Sequence, residues 1–223
     1  INSGIRRISI LTQYKSHSLN SHIQKGWNFL RPELGEFVDL LPAQQRVKDS
    51  WYLGTADAVS QNLDIIDNIH PDFVLILAGD HIYKMNYALM IEHHIDTGAD
   101  MTVGCIEVPI KQAREFGVMS VDENNRVVRF TEKPKQPETM PGRSNVCLAS
   151  MGIYVFSRDF LYQMLRRDDH DTASQHDFGK NIIPYAVAHH KVSAYPFTDN
   201  DSGDTAYWRD VGTVDSYYEA NME

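Results

Sequence analysis

Two aspartates far apart in the chain have the surroundings expected of metal ligands. Asp80 closes the run Val74-Leu75-Ile76-Leu77-Ala78-Gly79-Asp80-His81: four large apolar residues, two small ones, then the acid. Such a run reads as a strand buried on both faces of a parallel sheet, and open α/β sheets place ligands at the carboxyl ends of their strands. With a glycine beside it to let phosphates approach, that carboxylate suits a divalent cation carrying a nucleotide. Taken alone, an Asp that turns the chain or caps the next helix explains it better. Asp210 lies in Tyr207-Trp208-Arg209-Asp210-Val211-Gly212-Thr213, a strand running into a helix start. If both strands end at one rim, the two acids can share Mg²⁺, a hard ion satisfied by one or two carboxylates plus phosphate oxygens. The plainer role for Asp210 is a partner for Arg209 or a helix cap.

Two further segments bring chemistry-bearing groups together. Gly54-Thr55-Ala56-Asp57-Ala58 sets small residues at a loop–helix junction, where unpaired backbone N–H groups can bind a base edge or an anion. A Thr-capped helix has the same signature. Tyr52 just before it offers a hydroxyl or an aromatic face. Phe130-Thr131-Glu132-Lys133-Pro134 places an acid and a base side by side before a proline that ends a strand. Lys133 suits a phosphate and Glu132 accepts from sugar hydroxyls, although most such pairs are solvated surface residues. Asp177-Phe178-Gly179 matches the kinase metal tripeptide by chance, because no companion kinase motif accompanies it. His93-His94 and His189-His190 lack the spacing of three or four that a metal-binding helix face needs, and read as packing and surface residues.

The elements that must position these groups alternate between strand and helix in the first half, which signals βαβ units. Ile5–Leu11 reads as a strand, followed by a helix from Ser16 or Ser18 to about Trp27. Phe37–Leu41 is a short strand, and Gly54-Thr55 opens one helix with Ala56, Val59, Leu63 and Ile66 on a stripe. Strand Phe73–Ala78 precedes a helix capped by Asn86, with Tyr87, Met90, Ile91, His94 and Ile95 inward. Strand Asp100–Val108 follows. Gly117–Val121 and Val127–Thr131 form a hairpin around Asp122-Glu123-Asn124-Asn125. Ala149–Phe156 is a strand, after which Ser157 caps a helix carrying Phe160, Leu161, Met164 and Leu165. Met140–Asn145 and Thr198–Thr205 read as mobile loops, and Val214–Met222 as an amphipathic helix.

With 223 residues, 42% of them hydrophobic, the chain can bury one sizeable core. A net charge of −9 argues against a general nucleic-acid binder. Cys105 and Cys147, both in apolar contexts, read as buried thiols of a reducing compartment. No apolar run approaches the roughly 18 residues of a membrane span. There is no internal repeat and no clean boundary between two domains. Residue 1 is Ile and a strand begins almost at once, so residues 1–223 are expected to be a single partial domain cut at both ends.

Eight blocks in order resemble the bacterial ADP-glucose pyrophosphorylases, also called glucose-1-phosphate adenylyltransferases. They are Asn2-Ser3-Gly4-Ile5-Arg6-Arg7, Phe37-Val38-Asp39-Leu40-Leu41-Pro42-Ala43-Gln44-Gln45-Arg46, Trp51 to Val59, Leu77 to Tyr83, Phe116-Gly117-Val118-Met119, Thr131-Glu132-Lys133-Pro134, Leu148 to Phe156, and Tyr207 to Thr213. The Gln-Gln-Arg sequence and the His176-Asp177-Phe178-Gly179-Lys180 block have the bacterial rather than the plant form.

The resemblance implies an α/β, Rossmann-like sugar nucleotidyltransferase fold with a mixed, mainly parallel central sheet flanked by helices. It implies transfer of an adenylyl group from ATP to α-D-glucose 1-phosphate for glycogen synthesis, in a cytoplasmic enzyme that is homotetrameric at full length, with neither nucleic acid nor membrane as partner. By this likeness Asp80 is catalytic and holds Mg²⁺ with Asp210, and Lys133 holds the sugar phosphate. Tyr52, Gly117, Glu132, Ser150, Tyr154 and Trp208 line the sugar-phosphate site; Gln45, Gly54 and Thr55 face the nucleotide. Two family parts are missing: the first strand with its Gly-rich triphosphate loop, and the C-terminal β-helix domain. The fragment alone is therefore expected to be inactive. Asn68 stands where some bacterial relatives carry Arg, which bears on their response to regulators. A sister enzyme using another nucleoside triphosphate and a non-catalytic regulatory subunit are the competing expectations.

Overall fold

A computed structural model describes residues 1–27, 29–44, 51–198 and 206–223. In chain order the strands and helices are β1 (Arg7–Thr12), α1 (His17–Gly26), β2 (Phe37–Pro42), α2 (Thr55–Ser60), α3 (Leu63–Ile69), β3 (Phe73–Leu77), β4 (His81–Tyr83) and α4 (Tyr87–Thr97). They continue with β5 (Met101–Pro109), β6 (Gly117–Val121), β7 (Val127–Glu132), β8 (Val146–Ser157), α5 (Arg158–Asp169), α6 (Ile183–His189), β9 (Val192–Pro196), β10 (Trp208–Asp210) and α7 (Val214–Met222).

The main sheet is organised by β8, twelve residues without a charge (VCLASMGIYVFS). Its strand order is β7-β6-β8-β5-β9, with β3 on the same edge of β8 as β6. Odd residues of β8 (Cys147, Ala149, Met151, Ile153, Val155) join a core with Met90 of α4. Even residues (Leu148, Tyr154, Phe156) join another with Phe160, Leu161 and Met164 of α5. A strand apolar on both faces is stable only with helices over both, and this is the arrangement found. Burial of Phe156 or Leu161, both at 0% exposure, contributes about 1.5–3 kcal/mol each.

The sheet is mixed. Strands β3, β5, β6 and β9 share one direction while β7 and β8 run opposite. Neighbouring strands nevertheless pair mostly antiparallel, because β8 sits between the strands that would otherwise lie side by side. The same insertion changes β3. It was expected to be buried on both faces of a parallel sheet, yet it pairs antiparallel with β8 and is only half-buried. Among the described residues it has no partner on its outer edge. Two further pairs stand apart, parallel β1–β2 and antiparallel β4–β10.

Other expectations shift locally. The helix after Gly54 is two helices, because the Asn62 side chain donates to the Ala58 carbonyl (2.8 Å) and to the Tyr52 hydroxyl (3.0 Å) where the helix would continue. Asn86 caps α4 as expected, through the Ala88 N–H, but Ile95 is 53% exposed rather than inward. Ser157 stands at the start of α5, with its hydroxyl engaged by His94 instead of a helix amide. Residues 140–146 fold back on themselves, Met140 bridging Arg143. Of the segment Thr198–Thr205 all but Thr198 lie outside the described residues, as does Gln45. Cys105 and Cys147 are buried free thiols. No helix among the described residues is long and apolar enough to cross a membrane.

His94 joins α4 to the sheet. Its ring nitrogens lie 2.8 Å from the Thr102 hydroxyl and 3.2 Å from that of Ser157, and the Phe73 ring meets it edge-on. Burial pushes its pKa down from 6.5 to about 4. The unfolded chain therefore takes up a proton, as pH falls through 6.5, that the folded chain refuses until about 4. Stability present above pH 6.5 is lost across that window. Denaturant unfolding at pH 7 and pH 5 should show a lower midpoint at pH 5, and His94→Gln should flatten the difference; an equal slope in the variant would contradict the assignment.

Candidate active site

Asp80 and Asp210 are brought together by a three-residue ladder. In β4–β10, His81 faces Asp210, Ile82 faces Arg209 and Tyr83 faces Trp208. The Asp80 carbonyl accepts the Val211 N–H (2.8 Å), extending the pairing by one step. Asp210 Oδ1 accepts the Gly212 N–H at 2.7 Å, which orients the carboxylate. A side chain at Gly212 would meet that oxygen at 3.0 Å and Asp80 Oδ2 at 3.4 Å, so glycine keeps the space between the acids open. Thr213 then starts α7 with a capping box to Ser216.

One ligand atom from each of Asp80, His81 and Asp210 lies within 4.8 Å of the others. The sequence had singled out the two acids; His81 was the neighbour it left without a role. Its ring is largely buried, edge-on to Trp208 at 4.9 Å, with Nε2 3.5 Å from Asp80 Oδ1. Two carboxylate oxygens at this separation fit a hard divalent cation bound through one or two acids.

Of the residues expected to line the sugar-phosphate site, Ser150 and Tyr154 flank an irregularity in β8. Gly104 pairs with Ile153 but Cys105 pairs with Ser150, so Met151 and Gly152 are extra and bulge out. Gly152 has φ +68, and a side chain there would lie 3.1 Å from the His81 ring. The bulge thus touches the acid pair on one side. On the other, Ser150 Oγ accepts the Gly152 N–H (3.3 Å) and its hydroxyl bonds that of Tyr154. Burial pushes the Tyr154 hydroxyl up to about 12, so it stays protonated at neutral pH.

Glu132 ends β7 opposite Gly117 of β6. Side chains at Gly117 and Gly179 would stand 2.8 and 2.6 Å from Glu132 Oε2, so both positions must be glycine for the carboxyl to sit there. Burial raises its pKa, helped by the nearby Asp177 charge and opposed by Lys133 and Lys180. Lys133 adopts φ +44, a left-handed conformation that ends the strand before Pro134, and its N–H donates to the Phe116 carbonyl (3.1 Å). The Phe116 ring in turn meets Trp208 at 5.2 Å, linking this corner to the acid pair.

At the Gly54–Thr55 junction, expected to face the nucleotide, the structure differs from expectation. Two N–H groups at the start of α2, those of Ala56 and Asp57, donate to the His176 carbonyl (2.8 and 3.3 Å) instead of standing free. Gly54 packs on the same backbone, where a side chain would come within 2.3 Å of His176 O. The Thr55 hydroxyl donates to Asp177 Oδ2 (3.1 Å) and accepts from Phe178 N–H. Tyr52 is held by Gln13 through its N–H and by Asn62 through its hydroxyl. Asp177, set aside as a chance match, lies between Thr55 and Glu132, and Phe178 is buried in the core. The glycine that follows them was the available signal, since Gly179 is what lets this turn approach Glu132.

The α/β chain thus presents two acids just beyond a strand end, a place where such sheets put ligands. The chain belongs to the nucleotidyl transferase family, whose model matches residues 1–223. It is similar to glucose-1-phosphate adenylyltransferase 1 of Alkalilimnicola ehrlichii, 63% identical over all of this chain and 53% of the relative. It is also similar to the glucose-1-phosphate adenylyltransferases of Nitrosococcus oceani (61%) and Saccharophagus degradans (57%), with the same coverage. The chain spans about half the length of these curated relatives.

If the two acids hold one cation, Asp80→Asn and Asp210→Asn should each weaken Mn²⁺ binding by roughly tenfold or more. Glu132→Gln should leave it unchanged. Titration followed by electron paramagnetic resonance reads both, and unchanged binding in either Asp variant would contradict a shared ion.

Proposed function

We propose that the full-length protein containing this chain transfers the adenylyl group of ATP to α-D-glucose 1-phosphate, yielding ADP-glucose, the glucosyl donor for glycogen, and pyrophosphate. The single observation that carries this reading is the meeting of Asp80 and Asp210 in a chain 63% identical to an adenylyltransferase of that name. The buried free thiols Cys105 and Cys147 are in keeping with a cytoplasmic setting.

The nucleophile is already present as a phosphate oxygen of the sugar phosphate, so no strong base is needed. That oxygen attacks the α-phosphorus of ATP; the bond from the α-phosphorus to the bridging oxygen breaks, and pyrophosphate leaves with its electron pair. The barrier lies in bringing two anions into line and stabilising the charge that develops. Asp80 and Asp210 would hold Mg²⁺, which when bound would neutralise charge on the triphosphate. Lys133 offsets the incoming sugar phosphate as a compact positive charge. Glu132 accepts from sugar hydroxyls, and Ser150 and the protonated Tyr154 offer hydroxyls to the same ring. The Gly54–Thr55 junction borders the adenine, with Trp208 closing the wall between the acids and Phe116. Asp177, beside Glu132 and Thr55, extends the acceptor set on the sugar side.

This division of labour separates kinetic parameters. Asp80→Asn should lower kcat on the order of a hundredfold or more with modest change in KM. Lys133→Ala should raise the KM for glucose 1-phosphate roughly 10- to 100-fold with a smaller effect on kcat. Pyrophosphate release measured with ATP, UTP, GTP and dTTP against glucose 1-phosphate should favour ATP. Preference for another nucleotide would make this a sister enzyme, and absence of turnover with every nucleotide would leave a regulatory subunit.

A further inference from the structure

Behind the site, the loop between α5 and α6 is anchored by a buried acid. Asp168, in the last turn of α5 and 3% exposed, accepts from the Ser174 hydroxyl (2.6 Å) through Oδ1. Its Oδ2 lies 2.8 Å from His176 Nδ1. A carboxylate this far from water is costly unless hydrogen-bonded, and these two groups satisfy both oxygens. Since a carboxylate only accepts, Nδ1 carries the shared proton. The Ser174 hydroxyl also accepts the His176 N–H (2.9 Å). Together these bonds hold His176 at φ +54, a conformation that a non-glycine residue rarely adopts unless its surroundings impose it.

That conformation sets the direction of everything after it. The His176 carbonyl meets the Ala56 and Asp57 N–H groups and lies against Gly54. One residue on, Asp177 meets Thr55; three residues on, Gly179 abuts the Glu132 carboxyl. We infer that Asp168 and His176 form a positioning pair for the proposed reaction, fixing the Gly54–Thr55 junction on the nucleotide side and the Asp177–Gly179 turn on the sugar side. The inference rests on the adenylyl-transfer reading for its kinetic consequence but not for its structural one. Neither residue is a catalytic residue, because both act through the backbone between them and the site.

The test uses the full-length protein. His176→Ala removes the link to Asp168, and the KM for both ATP and glucose 1-phosphate should rise on the order of tenfold, kcat staying within about threefold. His176→Asn places an amide N–H near the position of Nδ1 and tolerates the left-handed backbone, so it should restore both KM values to within about twofold. Ser174→Ala, a milder break in the same network, should shift both KM values in the same direction by a smaller factor. Amide hydrogen exchange at Ala56 and Asp57 should speed up in His176→Ala and return to the wild-type rate in His176→Asn. Unchanged KM values and exchange in His176→Ala and Ser174→Ala would overturn the proposal. So would a fall in kcat that tracks a lower thermal midpoint, with both KM values constant and no rescue by Asn. If the wild-type protein transfers no adenylyl group, the functional reading fails, and the exchange rates still decide the positioning role.

Discussion

Carboxylates that approach within 4.8 Å repel each other, by about 3–4 kcal/mol at an effective dielectric constant near 20. Asp80 and Asp210 are brought to that range by backbone pairing: the β4–β10 ladder, the Val211 N–H on the Asp80 carbonyl, and the Gly212 N–H on the Asp210 carboxylate. Solvent screens part of that repulsion, since the Asp80 side chain is 58% exposed, and a cation between the acids would remove the rest. On the proposed reading, a metal–triphosphate would fill that gap.

The rest of the molecule links the acid pair to the residues proposed for the second substrate. The two-residue bulge in β8 puts Gly152 against the His81 ring and turns Ser150 toward Tyr154 on the far side. Because the insertion is two residues long, the odd–even alternation of β8 is preserved, and both core faces remain intact on either side of it. An irregular site is thus embedded in the most regular strand without loss of packing. Tyr154 feels the charge of Glu132, which is held between two glycines and itself feels Asp177, and Asp177 bonds Thr55 at the start of α2. The Gly54–Thr55 junction and the Asp177–Gly179 turn are joined both by the backbone of residues 174–179 and by the Thr55–Asp177 hydrogen bond.

Much of this was visible in the sequence, and the failures have physical causes. The paired acids could be proposed because each sits where an apolar run meets a glycine, a pattern that reports a strand end whatever the tertiary structure does. The hairpin, the Asn86 cap and the core face of α5 follow equally from local chemistry. Sheet order does not: nothing in Val74–Leu77 tells that β8, more than seventy residues later, pairs beside it, or that its other edge has no partner among the described residues. The bulge was hidden because Gly152 looks like one more small residue in an unbroken apolar run. The helix break at Asn62 depends on Tyr52, ten residues away, offering its hydroxyl. The junction at Gly54 looked open to a ligand, because the carbonyl that fills it belongs to His176, more than a hundred residues downstream.

The most direct measurement of the central claim is anomalous diffraction from crystals of the full-length protein soaked with Mn²⁺ and ATP. The account predicts a manganese peak between the two acids, within about 2.0–2.3 Å of one carboxylate oxygen from each of Asp80 and Asp210. A triphosphate-bound ion that contacts neither acid, or only one of them, would contradict it.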